Sequence, residues 1–592
     1  MRQKFVLRFL DKCFVLTLIL IFFLYNLNRI DYGLPFFFNL DEIAFQYSTL
    51  SYLVFITGHF NIIDPLYAPL INLILILKSI FVNEFLINSL NLDQIKSKIY
   101  FNTELFIYYG RVASLITSSL SIFVLYLIFK KLKINFFIYA LLLLTLCTSL
   151  VILDVAIVNG KHSYYLLIFL VQLYFFFKYL IKIEKFNFKS YIFFSIFASL
   201  GWGVSYWPAF ISVYAVLVLH LKKFRYSKIY YPLTFSVIFF IFGPILGMII
   251  SNAPILDFIM KSEELEALEI KSFSKQAITD FFEGLKIIYY AEKNFFLVLF
   301  FSPLILLLQK ENKSLKKNFF IIFVIFFEPV ILLAMAQEAL PQLRYFIGNT
   351  CVILILTGII FNEIYKSNLK YLCVIFLISN FYFIYNNLNL NNQVNNIMSK
   401  KHSFYVFNDS INVDKKKILY LVDLNFQESF KQNKLYLELY ENDLIKKSSK
   451  YEANLKRIKD KINKIKTLEN KILLNHDVKE NIIYFNYSFH EITDFEMFFN
   501  YIRKYFDYIV IEESKPFYLT NRAIHNEISK YVKKKFLIKQ IYSEQNKIFL
   551  RSLRSVIHYH ANAINLFDHA QNIDKKNFQI VYGSNYSLYK LN

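Results

Sequence analysis

The stretch Tyr191-Ile-Phe-Phe-Ser-Ile-Phe-Ala-Ser-Leu-Gly-Trp-Gly-Val-Ser-Tyr-Trp-Pro-Ala-Phe-Ile-Ser-Val-Tyr-Ala-Val-Leu-Val-Leu-His220 is almost wholly apolar. It is too long for one untilted helix, since a bilayer core takes about 20 residues. Gly201-Trp-Gly-Val-Ser-Tyr-Trp-Pro208 interrupts its middle with the residues that break helices most readily. We read two short helices here, 191–203 and 206–220. This choice fixes the direction of every segment that follows.

Basic residues test the choice, because lysine and arginine collect in cytoplasmic loops. Clusters stand at Arg2/Lys4/Arg8/Lys12, Lys130/Lys131/Lys133, Lys182/Lys185/Lys189, Lys222/Lys223/Arg225/Lys228, Lys310/Lys313/Lys316/Lys317 and Lys366/Lys370. With 191–220 split, all of them fall on one side, the N-terminus is inside and the C-terminal part outside. A single span would put the next cluster on the wrong side. The other spans lie at roughly 13–29, 105–129, 135–153, 163–181, 232–250, 293–309, 318–336, 346–363 and 371–387. Residues 65–81 are apolar too, but Pro65, Pro69 and Lys78 fit a helix lying in the interface.

Composition agrees. The 592 residues are 56% hydrophobic with a mean hydropathy of +0.40, too apolar for one soluble core. The net charge of +22 lies in the short loops and in a tail suited to anionic headgroups. No nucleic-acid motif accompanies it. Cys13, Cys147, Cys351 and Cys373 all sit in apolar runs, which argues against disulfides and thiolate metal sites. The N-terminal run shows no small-residue cleavage site and reads as an uncleaved anchor.

Beyond about residue 388 the composition changes. Asn-rich 386–396 reads as a linker; segments at Lys417, Asn481 and Tyr508 read as short buried strands; 430–475 and 493–506 read as helical. The fold class is thus a polytopic α-helical membrane protein of about eleven spans with a C-terminal extracytoplasmic α/β domain. Its domains are 1–387, with an external loop at 30–104, and 388–592.

On the external side the chemistry-bearing residues are few. Asp41 and Glu42 are adjacent carboxylates beside a bilayer, costly unless paired, coordinated or used. One can serve as a general base. Arg111, Lys161 and Arg344 are cations that could hold a phosphate, with His162 and His59 near in sequence. Each has a plainer reading: Asp41 caps the following helix, Arg111 and Arg344 snorkel to headgroups, and Lys161-His162 shapes a short turn. His558-Tyr-His560 would put two imidazoles on one side of a strand, but without a third ligand the pair is not a metal site. The charged run 441–466 reads as a solvated helix face.

Taken in order, Asn39-Leu-Asp-Glu-Ile, Gly58-His-Phe-Asn-Ile-Ile-Asp-Pro-Leu-Tyr-Ala-Pro-Leu, Tyr109-Gly-Arg-Val-Ala-Ser, Gln342-Leu-Arg-Tyr-Phe and Phe506-Asp-Tyr-Ile-Val-Ile-Glu-Glu-Ser resemble the GT-C superfamily. These are polyprenyl-phosphate-dependent membrane glycosyltransferases, among them protein O-mannosyltransferases and lipid A aminoarabinose transferases. The resemblance implies a multi-pass inner-membrane enzyme that moves a sugar from a polyprenyl-phosphate donor to a lipid, glycan or protein outside the cytoplasm. It implies Asp41 as catalytic base or as a carboxylate holding a divalent metal, Glu42 as its helper and Arg344 facing the donor phosphate. The chain departs from it at Val158-Asn-Gly-Lys-His-Ser163, where many members carry an acidic residue and this chain has Ser163. A flippase of lipid-linked sugars and a non-catalytic scaffold are the alternatives.

Overall fold

Long apolar runs form helices because a helix satisfies its own backbone polar groups where water is absent. In the computed structural model these are α1 (Arg2–Leu27), α2 (Thr103–Lys131), α3 (Phe136–Thr148), α4 (Leu150–Ala156), α5 (Lys161–Ile181), α6 (Phe188–Trp202), α7 (Tyr206–Lys223), α8 (Tyr230–Phe239), α9 (Lys275–Ala291), α10 (Asn294–Leu308), α11 (Ile347–Lys366) and α12 (Cys373–Met398). The structure describes residues 2–32, 103–158, 160–202, 206–239, 275–308, 323, 343–411, 416–422, 430–447, 482–486, 490–512, 537–542, 547–550, 553–560 and 579–591. Residues 65–81, expected to form an interfacial helix, and nearly all of the span expected at 318–336 lie outside them.

Among the described residues four helical stretches are long and apolar enough to cross a membrane, or six if each bent pair is one span. The split of 191–220 is seen directly: α6 and α7 are separate helices packed on each other. The expected span 135–153 is instead a broken helix. α3 and α4 meet at 59°, with Ser149 extended between them and its Oγ accepting from Val151 N at 3.2 Å. A second break, between α9 and α10, turns the chain by 103°. The Asn-rich stretch is not a linker: α12 runs unbroken through it to Met398. Its asparagines are spent on packing. Asn387 Nδ2 donates to the Thr145 carbonyl at 3.4 Å, and Asn391 Nδ2 donates to the Thr148 carbonyl, so the asparagines satisfy acceptors beside the Ser149 break.

Side-chain contacts sort the described helix ends into two chemically distinct groups. At one, Lys130 pairs with Asp11 at 2.6 Å, Tyr139 also donates to Asp11, and Lys222 donates to the Leu180 carbonyl at 3.2 Å. Lys131 lies within electrostatic reach of Lys178, Lys182 and Lys185. The basic residues around Lys130, Lys182 and Lys222 therefore gather together, next to Asp11 of α1. The opposite end holds the exit of α1, the start of α2, the α4–α5 turn, the turn Leu343–Phe346 and the C-terminal half of α12.

In the tail, β1 (Ile418–Val422), β3 (Ile482–Asn486) and β5 (Tyr508–Glu512) are the strands that the sequence picks out, and they are adjacent and parallel. With β9 (Tyr586–Lys590) and β6 (Leu537–Gln540), both antiparallel additions, the order is β3-β1-β5-β9-β6. Parallel strands are buried on both faces. Here α14 (Phe430–Glu441) and α15 (Phe495–Ile502) cover one face of the sheet, while α13 (Ser403–Ser410) covers the other through Phe404 and Phe407. Of the stretch expected to be helical at 430–475, the part described, to Lys447, is helical to Glu441; β2 (Ile445–Lys447) follows and pairs with β4 (His490–Ile492). A further piece, β7 (Lys547–Leu550), α16 (Leu553–His560) and β8 (Gln579–Tyr582), joins the tail to the bundle. Leu550, Val556, Ile557 and Tyr582 belong to the bundle's own hydrophobic core, and α16 packs on α12 and α4. His558 and His560 thus sit on a helix, not on the expected strand.

Candidate functional site

Asp41, Glu42 and His59 lie outside the described residues; the chain is described as far as Tyr32, and two arginines hold it there. Arg111 is 2% exposed. Its Nη1 donates to the carbonyls of Ile30 and Tyr32, each at 2.7 Å. These carbonyls follow the end of α1, so the guanidinium caps the exit of that helix. Arg111 is therefore neither a snorkelling cation nor a surface one: it holds the chain that leaves α1. Arg29, which the sequence reading passed over, is also 2% exposed. Its Nη1 reaches Asn391 Oδ1 at 3.1 Å and Asn26 Oδ1 at 3.4 Å, and its guanidinium stacks 4.1 Å above the Tyr25 ring.

Arg344 lies in the 3-10 turn Leu343–Phe346 that leads into α11, and it too is buried. That turn packs against α4 and α9. α4 carries Asp154, which is fully buried. A carboxyl in an apolar helix, Leu150-Val-Ile-Leu-Asp-Val-Ala156, is by default a functional residue. The sequence carries that signal at Asp154, whereas the family resemblance points to the position of Ser163. The structure places an acid nine residues earlier, on an element touching the turn that bears Arg344. Gly348, one helical turn after Arg344, lets this arrangement close, since a Cβ there would overlap the Tyr165 hydroxyl of α5.

Lys161 is the first residue of α5, and no residue caps that helix by side chain. His162 beside it is buried. At the corner between α9 and α10, buried Glu292 accepts from Asn294 N at 3.1 Å and Asn294 Nδ2 at 2.9 Å, which ties the 103° turn together. Glu292, Lys293, Asn386 and Asn387 line a crevice whose wall includes Tyr290 and Phe383. On the tail side, burial against the bundle pushes the Tyr559 phenol above its ordinary value.

Within the described residues, then, Arg111, Lys161 and Arg344 all fall at one end of the bundle, with Arg29 and Asp154 joining them. No three His, Cys, Asp or Glu side chains among the described residues converge to hold a metal. No family model matches the chain. No curated protein is similar to it either.

Proposed function

We propose that the protein is a membrane glycosyltransferase that takes its sugar from a polyprenyl-phosphate carrier, with about eleven spans, the N-terminus in the cytoplasm and the tail domain outside. Asp41 takes the proton from an acceptor hydroxyl or amine as the acceptor attacks the anomeric carbon. The bond from that carbon to the phosphate oxygen breaks, and the polyprenyl phosphate leaves with the electron pair. Buried cations at the same end stabilise that leaving charge. Glu42 supports Asp41, and Asp154 supplies the second acid that Ser163 does not.

One observation carries this reading most: Arg344 and Asp154, both buried, lie on contacting elements at the end where the loop bearing Asp41 begins. Buried opposite charges beside an apolar bundle are costly to keep and cluster at functional sites. The test is transfer of labelled sugar from polyprenyl-phosphate donors in membranes carrying Arg344→Gln or Asp154→Asn. Loss of transfer in both variants, with folding intact, is the expected result. Wild-type transfer in both would remove the assigned site.

A transporter of lipid-linked sugars is the second reading. The break at Ser149 favours it, because broken helices line transport sites. A transporter would keep moving its lipid when Asp41 is replaced by Asn; a transferase would lose its chemistry.

A further inference from the structure

Arg29 is a buried cation with an unused hand. Its Nη1 is engaged by Asn391 and Asn26, while its Nη2 is buried and makes no hydrogen bond. Among the described residues no carboxylate pairs with it. The titratable groups facing it are the phenols of Tyr25 and Tyr32. A buried guanidinium without a counter-ion is expensive, and an unmade bond to a charged donor adds to that cost. If the residue served only to hold Asn391, glutamine or lysine would supply that single donor without burying an open fork.

The position adds chemistry to this imbalance. Arg29 lies at the exit of α1, beside the carbonyls that Arg111 grips, at the end that also holds Arg344. The turn around it is closed by long bonds, Ile30 N to Leu27 O and Tyr32 N to Arg29 O, each at 3.4 Å. Both exceed the usual N–H···O range, whereas Arg29 N to Asn26 O is an ordinary 3.0 Å, so the chain just past Arg29 is the more weakly bonded part of this exit. A planar fork with one side fixed by Asn391 and the other open matches an oxyanion, and phosphate above all.

We propose that Arg29 is the cation of a phosphate-binding site at this end of the bundle, with Nη2 donating to a phosphate oxygen. The ligand chemistry is a phosphate monoester or diester, carried by a lipid or free in solution. The assignment of a polyprenyl-phosphate lipid rests on the glycosyl-transfer reading; that of the anion does not. Arg29 thus deepens that reading with a phosphate contact separate from Arg344.

The test uses the purified full-length protein in lipid nanodiscs. Binding is followed by ligand-induced thermal shift with two probes, polyprenyl monophosphate and inorganic phosphate. Arg29→Gln should weaken binding at least tenfold, whichever probe the wild type takes. Preference for the lipid probe identifies a headgroup site, and equal response to inorganic phosphate identifies a free-anion site; both support the proposal. Equal affinity in wild type and Arg29→Gln overturns it, as does a wild type that binds neither probe. Should Arg29→Gln not fold, Arg29→Lys is read instead: weaker binding supports the site and unchanged binding removes it. None of these arms reads sugar transfer. A protein that binds phosphate through Arg29 yet transfers no sugar keeps the site and loses the proposed activity.

Discussion

Replacing Asn391 by leucine tests how the bundle holds its polar end. Asn391 is 4% exposed and joins three elements: it accepts from Arg29 Nη1 at 3.1 Å, donates to the Thr148 carbonyl at the helix break, and donates to Asn387 O at 3.0 Å. Leucine keeps the volume and removes all three bonds. A bond to a charged group contributes about 1.5–3 kcal/mol, and a buried acceptor left unmade costs about 1–3 kcal/mol. Interhelical polar contacts in membranes average only about 0.6 kcal/mol, so the lower parts of these ranges apply to the Thr148 bond. The sum is a loss of about 2–4 kcal/mol, with the Arg29 contact the larger share. Reversible unfolding in mixed micelles measures it, and a double-mutant cycle with Arg29→Met isolates the pair. We expect a coupling of about 1–2 kcal/mol. A coupling below about 0.3 kcal/mol would mean that the two side chains do not act together, and the account of the polar end would fall with it.

Other outcomes follow from single positions. Gly583 has φ +119°, and a Cβ there would collide with Ser403 and His402, so Gly583→Ala should destabilise the tail by about 1–3 kcal/mol, read as an earlier tail transition in thermal unfolding. Gly348→Ala should cost about 1–3 kcal/mol through overpacking against Tyr165, measured in the same assay, and a neutral effect would contradict the close approach of α5 and α11. Exposed Ile278, Phe282 and Tyr289 share one face of α9, which leaves α10 at 103°, so α9 should lie in the membrane plane. A tryptophan at Phe282 should be quenched by brominated lipids, and an unquenched one would place that face in water.

The fold was legible where physics is local. Apolar runs announced the helices, Gly201 to Pro208 announced the break between α6 and α7, and β-branched runs at 418, 482 and 508 announced the parallel strands. The break at Ser149 was not legible, because no glycine or proline marks it; a serine cap and two asparagines about 240 residues away make it tolerable. For the same reason the asparagines of α12 looked like a linker. Much of their polarity is matched by distant partners, Arg29 just past α1 and carbonyls of α3. The His558–His560 pair was misread because a short polar segment carries no clear period, and docking of Val556 and Ile557 on the bundle decides it as helix.

Of the site, Arg111, Lys161 and Arg344 were visible as isolated cations near expected helix ends. What each one does was not visible. The same codon reads as a snorkelling arginine or as a buried cap, and only the Ile30 and Tyr32 carbonyls distinguish them for Arg111. Arg29 was hidden because an arginine at the end of a span is ordinary; its buried Nη2 without a hydrogen bond is a property of the packed structure.

The most direct measurement concerns Asp41. Proteoliposomes containing the protein, a polyprenyl-phosphate sugar and a membrane extract as the acceptor source should release polyprenyl phosphate as sugar appears in product. With Asp41→Asn, release and transfer should both fall by at least a hundredfold while the protein keeps its wild-type unfolding transition, in line with the 10²–10⁴-fold contribution of a general base. Release and transfer at the wild-type rate in Asp41→Asn would contradict the account.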